Sequence, residues 1–547
     1  MILDALFTNG RFTTLDPEQP QARALGVFGG LIAGLDQEVE DLPARLRVDL
    51  SGAPCIPGLH DSHHHLAARG LTLLGCDVSP EAAPTLAELY ARVAEHAAGL
   101  PPGEWVQGGG YLDSVLGSHP TREGLDAAAG GRPLFLYHSS YHGGVLNSEG
   151  IRRISGDPNV IPEVEAGFVE RDAAGNPTGF IAERTVELVG ALLLPMPLER
   201  FVQAIALGSQ AALAEGLTSV TEPGISGQLT GNGPSDFAAY QLALERGLLG
   251  VRTCVMPELS TLHHIDKNEP DHPGFGLDLG IRSGLGNDYL RLGPVKIFSD
   301  GALSSHTAAL NCPYHQESGN GILHHEVDQF FQQVLDAHRA GWQLATHAIG
   351  DRAVNLVLDA YEAALTAYPR ADARHRIEHC GMADDAAIAR IAALGLVPVP
   401  QGPFLPIFGD AYLTAVGPER EALLYRQLSF LQAGIEVPGS SDCPVVPGAP
   451  LFGIEALVRR LIPGGAVLGE AERLTVAQAL RAYTFGSAYA EHAESRKGTL
   501  ARGKLADFVV LSDDLLASAP EQISDITVRA TIVGGEVRFG ADNLSFA

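Results

Sequence analysis

Apolar and polar positions along the chain follow two different periods. Short apolar runs at 5–8, 24–27 and 31–33, divided by Asn-Gly and Gly-Gly turns, predict strands near the N-terminus. Runs at 506–511 and 526–533, the second followed by Gly534-Gly535, predict strands of the same kind near the C-terminus. Between these ends, strand-like and helix-like stretches alternate. Strands are expected at 55–59, 217–221, 251–256, 294–299, 343–347, 376–379, 396–399 and 435–440. Thr475-Val476-Ala477-Gln478 is a capping-box pattern, and Val476, Ala479, Leu480 and Tyr483 then share one helical face. Asp351 is the expected cap of a helix whose Val354, Val357, Leu358 and Tyr361 form its buried stripe.

Eight strands with intervening helices predict an α/β fold, a (β/α)8 TIM-like barrel, in preference to an open sheet. The β-rich ends pair into one small discontinuous β-sandwich domain, residues 1–55 and 498–547, leaving 56–497 for the barrel. The stretch at about 100–190, with Gly108-Gly109-Gly110 and a strand at 134–137, does not fit one βα unit and reads as an insertion after the first barrel strand.

At 547 residues the chain is long enough for a large domain and a smaller one. Its net charge of −28 argues against partners that are bound through their negative charge, nucleic acid and anionic membrane alike. The first residues, Met1-Ile2-Leu3-Asp4-Ala5-Leu6-Phe7, lack the basic start of a signal peptide, and no apolar run is long enough to span a bilayer. The six cysteines are scattered without a CxxC pair, as expected of reduced thiols in a cytoplasmic enzyme.

Candidate chemistry sits at the ends of the expected strands, where barrel enzymes carry it. His63 and His65, two apart on an extended segment, point to one side and can share a metal ion, whereas His64 points away. His347 and His379 close two consecutive strands. Either one alone reads more readily as a hydrogen-bonded core histidine, a reading that weakens because the two strands are consecutive. Asp442 follows the last strand and could bind metal, take a proton from water, or simply cap a turn. Lys296 lies inside an apolar strand. It is either an ordinary lysine paired with Asp300 or turned to solvent, or a buried amine able to form a carbamate with carbon dioxide. This set of nitrogen and oxygen donors suits zinc first, with manganese, iron or cobalt as alternatives.

Seven segments, in order, carry a resemblance. They are Thr8-Asn9-Gly10-Arg11 with Thr14-Leu15-Asp16; Pro57-Gly58-Leu59-His60-Asp61-Ser62-His63-His64-His65; and Val295-Lys296-Ile297-Phe298-Ser299-Asp300-Gly301. There follow His347-Ala348-Ile349-Gly350-Asp351-Arg352-Ala353, Arg376-Ile377-Glu378-His379, Gly439-Ser440-Ser441-Asp442-Cys443-Pro444 and Gly503-Lys504-Leu505-Ala506-Asp507-Phe508. Together they resemble the amidohydrolase superfamily, and within it amidohydrolase family 3, which includes N-substituted formamide deformylases.

The resemblance implies one or two divalent ions. His63, His65 and Asp442 would hold one, and His347 and His379 a second, with Lys296 as a carbamate bridge. It implies attack of metal-bound hydroxide on a non-peptide C–N bond (amide, N-formyl, carbamate or cyclic amide), with Asp442 passing the proton to the leaving nitrogen. The insertion, at Trp105-Val106, His142 and Asn147-Ser148, also resembles the family, where this region roofs the pocket, so His142 is a candidate substrate contact. The partner expected is a small-molecule substrate, with a homodimer left open. Three departures bear on pocket shape: Thr221-Glu222-Pro223 where a His-Asp pair is common, His60 where an apolar residue is usual, and His306 where Arg is common. A metal-dependent deaminase or isomerase is the alternative reading, because one fold hosts many chemistries. A non-catalytic binding protein is disfavoured because all five His/Asp ligand positions are intact.

Overall fold

The structure is a computed structural model that describes every residue except 81, 139–142, 165–166, 194–195, 228–230, 266–273 and 547. Its contacts divide the chain into two units: Met1–Leu66 with Ser209–Ala547, and Ala67–Gly208.

In the first unit, both ends of the chain contribute to the same β-structure. One five-stranded sheet contains Leu3–Thr8, Leu25–Phe28, Leu31–Leu35, Ala44–Asp49 and Ser545–Phe546. A six-stranded sheet joins Arg11–Thr13, Gln21–Ala22 and Pro54–Pro57 to Phe508–Leu511, Val528–Val533 and Glu536–Phe539. The seam between the ends is antiparallel, with Cys55 opposite Val510 and Ile56 opposite Val509. Phe7, Phe12 and Phe508 pack edge to face in the core under these strands, their ring centroids 4.9 and 5.4 Å apart. Gly534 and Gly535 turn the final hairpin with φ of 60° and 80°, backbone angles that disfavour a side chain.

Two four-stranded parallel sheets follow. The first runs Leu59–Asp61, Leu217–Ile225, Arg252–Pro257 and Leu290–Leu292, and the second Val295–Phe298, Leu344–Ala348, Arg376–His379 and Val397–Val399. Only Gly293 and Pro294 separate Leu290–Leu292 from Val295–Phe298. A single parallel bridge from Glu258 to Lys296 continues the pairing across that break.

Two strand expectations are corrected here. The stretch 55–59 is not one strand. Pro54–Pro57 belongs to the terminal sheet and Leu59–Asp61 to the parallel one, with Gly58 as the crossing point. A β-carbon at Gly58 would stand 2.2 Å from Thr218 Oγ1, so only glycine passes there. The stretch 435–440 is not a strand and forms no ladder with Val397–Val399. Pro398, Pro400 and Pro438 have no N–H to give. The segment instead bonds on its other side, where Ser62 N donates to Gly439 O at 3.0 Å.

Helix signals held in one case and moved in the other. Thr475 caps Val476–Arg481 with the full capping box to Gln478, and Ala479, Leu480 and Tyr483 are buried. Thr475→Ala is expected to cost about 1 kcal/mol in urea unfolding; an unchanged midpoint would show that the cap is idle. Helix Asp351–Ala367 buries Val354, Val357, Leu358 and Tyr361, yet its cap is Gly350. Asp351 instead accepts from Asn311 N at 2.9 Å and Asn311 Nδ2 at 3.0 Å.

A buried ion pair ties the parallel strands to the terminal sheet. Arg252 donates Nε and Nη2 to the two oxygens of Asp507 at 2.7 and 2.9 Å, and Asp507 also accepts from Gly534 N. His60, the polar residue at an expected apolar place, is likewise paired. Its Nε2 lies 3.2 Å from Glu491, which also meets Arg291 at 2.7 Å and Lys497 at 3.1 Å.

The second unit has its own mixed sheet, ordered Gly167–Arg171, Pro177–Glu183, Gly143–Leu146, Leu134–His138, Val106–Tyr111 and Cys76–Asp77. It starts and ends outside the 100–190 stretch singled out in the sequence. Asn147 caps helix Ser148–Ser155 and also accepts from Leu134 N, tying helix to sheet. No single helix among the described residues is long and apolar enough to cross a membrane.

Candidate active site

The segment after Leu59–Asp61, bent at Ser62 and His63, carries His63 and His65, and it is bonded along the segment that carries Asp442. Asp442 N donates to His63 O at 2.7 Å and His65 N to Cys443 O at 2.8 Å. The result is convergence of ligand atoms. His63 Nε2 and His65 Nε2 lie 3.4 and 3.2 Å from Asp442 Oδ1. Tetrahedral coordination with bonds of about 2.0–2.1 Å places its ligand atoms about 3.3 Å apart, so the three groups fit a small divalent ion such as zinc. Among the described residues, these three form the one cluster of histidine, cysteine or carboxylate ligands that meets the spacing of a metal site.

Each of the two histidines is held by its other nitrogen. His63 Nδ1 meets Glu378, and His65 Nδ1 lies 3.4 Å from Glu222. A carboxylate on Nδ1 keeps the proton there and leaves the Nε2 lone pair for a metal. Arg376 fixes Glu378 in turn, with Nε and Nη2 at 2.7 and 3.0 Å from its oxygens, and donates to Ser62 O at 2.7 Å. Arg376 and Glu378 are completely buried.

His347 and His379 stand beside this cluster. The His379 ring is 4.9 Å from that of His63 and 4.5 Å from that of His347, centroid to centroid. His347 Nε2 lies 3.0 Å from Gly301 O, and His379 Nδ1 lies 2.6 Å from Gln401 Oε1. Each ring therefore again has one nitrogen engaged by the protein. Lys296 is 1% exposed, with Nζ 4.8 Å from the Phe298 ring centroid. Asp300, its alternative partner in the sequence, is instead taken up by the backbone N–H groups of Ala309, Ile349 and Gly350.

The electrostatics sort these groups. Burial, then the Lys296 charge, drives His63 well below the ordinary imidazole range and His347 down to about 3. Burial with the charges of the neighbouring histidines and Lys296 does the same to His379. Burial brings Lys296 itself down to about 8, against the pull of Glu378 and Asp442. His65 goes the other way: burial lowers it, but Asp442 and Glu222 overcome that and hold it up to about 9. A site whose carboxylates recruit a proton onto a ligand is one that favours a cation, and metal binding displaces such a proton.

Glu378, Arg376, Glu222 and Gln401 were not singled out as site residues in the sequence. Glu222 is the clearest gain, since the departure at Thr221-Glu222-Pro223 puts a carboxylate on His65, steadied by the Tyr240 hydroxyl. His306 stacks on Tyr314 and bonds Glu317 at 2.8 Å. His64 turns to Asp61, its Nδ1 at 3.3 Å. His142 lies outside the described residues.

A family model described as the amidohydrolase family matches residues 47–539. The chain belongs to the amidohydrolase family. This amidohydrolase is 28% identical over 549 residues to the putative amidohydrolase YtcJ of Bacillus subtilis, covering 98% of this chain and 99% of that one. It is 29% identical to the N-substituted formamide deformylase of Arthrobacter pascens, covering 98% of each. Among solved structures, a metal-dependent hydrolase from Pyrococcus horikoshii OT3 matches with a TM-score of 0.77 and 26% identity, covering 94% of this chain and 99% of that one. The protein is an enzyme, a hydrolase of the amidohydrolase family with an α/β fold.

Proposed function

We propose that this amidohydrolase cleaves a C–N bond outside peptides, in a small amide, N-formyl compound, carbamate or cyclic amide. The observation that carries the reading is the convergence of two imidazole Nε2 atoms on Asp442 Oδ1 at 3.4 and 3.2 Å, each imidazole backed by a carboxylate. The relative named as an N-substituted formamide deformylase supports the choice of bond.

In this reading the parallel strands form a closed (β/α)8 barrel, supported by the bonds from Ser62 to Gly439 and from Asp442 to His63. The terminal sheets form a β-sandwich domain beside it. His63, His65 and Asp442 would hold one ion and His347 and His379 a second, with a carboxylated Lys296 available to both. Zinc is the metal of choice for these donors. A divalent ion, when bound, supplies an acidic water and polarises the carbonyl under attack. The protein's own part is positional and protolytic. Glu378 and Glu222 keep Nδ1 of His63 and His65 protonated. Asp442, a buried carboxylate beside both imidazoles, takes a proton from the attacking water and returns it to the leaving nitrogen. Its six free cysteines, five of them buried, fit the reducing cytoplasm.

The test is metal analysis of protein purified without chelator, joined to a panel of N-formyl, N-acyl, carbamate and cyclic amide compounds. One or two equivalents of a divalent metal and turnover of a panel member are expected, lost on chelation and restored by Zn, Mn or Co. Metal-free protein of undiminished activity would overturn the reading. Ammonia release from aminated purines or pyrimidines, with no turnover of the amides, would replace it with a deaminase.

A further inference from the structure

Asp61 is completely buried two residues before His63 and does not meet the metal-ligand spacing itself. Its carboxylate is nevertheless the point where two distant segments join. Oδ1 accepts from His63 N at 3.1 Å and from Ser441 N at 3.1 Å. Oδ2 accepts from the Ser441 hydroxyl and lies 3.3 Å from His64 Nδ1. The Ser441 oxygen in turn accepts from Cys443 N at 3.0 Å. One carboxylate thus binds Ser441, which in turn holds Cys443, on one side and the backbone of His63 on the other.

Asp442 needs such support because its φ is +65°, the left-handed region that non-glycine residues enter at a cost. Relaxation of that backbone would swing Oδ1 away from the imidazoles that now stand 3.4 and 3.2 Å from it. The bonds to Ser441 and Cys443 bracket the strained residue on both sides.

We propose that Asp61 is a positioning residue that sets the spacing of His63, His65 and Asp442 by clamping the Ser441–Cys443 turn to the His63 backbone. The proposal rests on those three residues being metal ligands. Its chemistry is specific to a carboxylate. The Ser441 oxygen already takes the Cys443 N–H, so its own hydroxyl hydrogen needs an acceptor. Asp61→Asn puts an amide donor there and leaves that hydrogen without one, while the amide oxygen still serves His63 N and Ser441 N.

The test uses Co²⁺ alone as probe on metal-stripped protein, read by its visible absorption band and by titrated affinity. Asp61→Asn is expected to lower Co²⁺ affinity at least tenfold and to alter the band. Asp507→Asn, which weakens the Arg252 pair, controls for lost stability and is expected to bind Co²⁺ as the parent does. Parent-like affinity and band in Asp61→Asn overturn the proposal while leaving the metal site standing. A parent protein that binds no Co²⁺ overturns both. If Asp61→Asn does not fold, Ser441→Ala decides on the same two readouts, because it removes the hydroxyl between Asp61 and Cys443.

Discussion

Asp442→Asn is expected to lower kcat by about three orders of magnitude while leaving the fold in place. The exchange keeps the size and shape of the side chain, and the backbone bond from Asp442 N to His63 O does not depend on it. What it removes is charge. Asp442 is one of the two carboxylates that hold His65 up to about 9 against burial, so the site loses part of its demand for a cation. It also removes the group proposed to carry the proton to the leaving nitrogen, an effect of about 10²–10⁴-fold by itself. Circular dichroism should superimpose on the parent's, and steady-state kinetics on the best panel substrate should show the loss in kcat. A variant within tenfold of the parent would remove Asp442 from the mechanism.

Glu378→Ala is expected to cost about 3–5 kcal/mol of stability, because it leaves the fully buried Arg376 guanidinium without its partner. Arg376 is poorly placed to absorb that loss: its Nη1 already has no hydrogen-bond partner among the described residues. The same change frees His63 Nδ1, so metal content should fall along with the urea midpoint. Glu378→Gln, which keeps the volume and one acceptor, should lie between parent and alanine in both measurements. An alanine variant less than 1 kcal/mol below the parent would mean that water or a shifted neighbour takes over the role of Glu378.

The metal-site candidates were legible because they lie in short, ordered motifs at strand ends. Their support was not, and the reason is geometric. Glu378 and His379 are adjacent, so strand alternation assigns them to opposite faces. His379 instead has φ of +68° and Cys380 +42°, and both Glu378 and His379 reach His63. The alternation rule fails at the positions where the backbone leaves the extended region. The pairing of Glu378 with a histidine 315 residues away is set by strand register, which apolar periodicity does not encode. At 435–440 the apolar run reads as a strand, but prolines in both partners remove the donors a ladder needs. His60 shows the same limit from the other side: its burial makes sense only through Glu491, Arg291 and Lys497, none of them its neighbour in sequence.

The seam between the chain ends also bears on how the protein is made. Cys55 and Ile56 are synthesised more than 450 positions before Val509 and Val510, the residues they pair with. Until Phe508–Leu511 has been made, the Pro54–Pro57 strand has an open edge on that side, and such edges invite association with other chains. The sheet closes on that side only once Phe508–Leu511 has been synthesised. Truncation before Phe508 should therefore leave a chain that aggregates, even though every proposed metal ligand is already present in it.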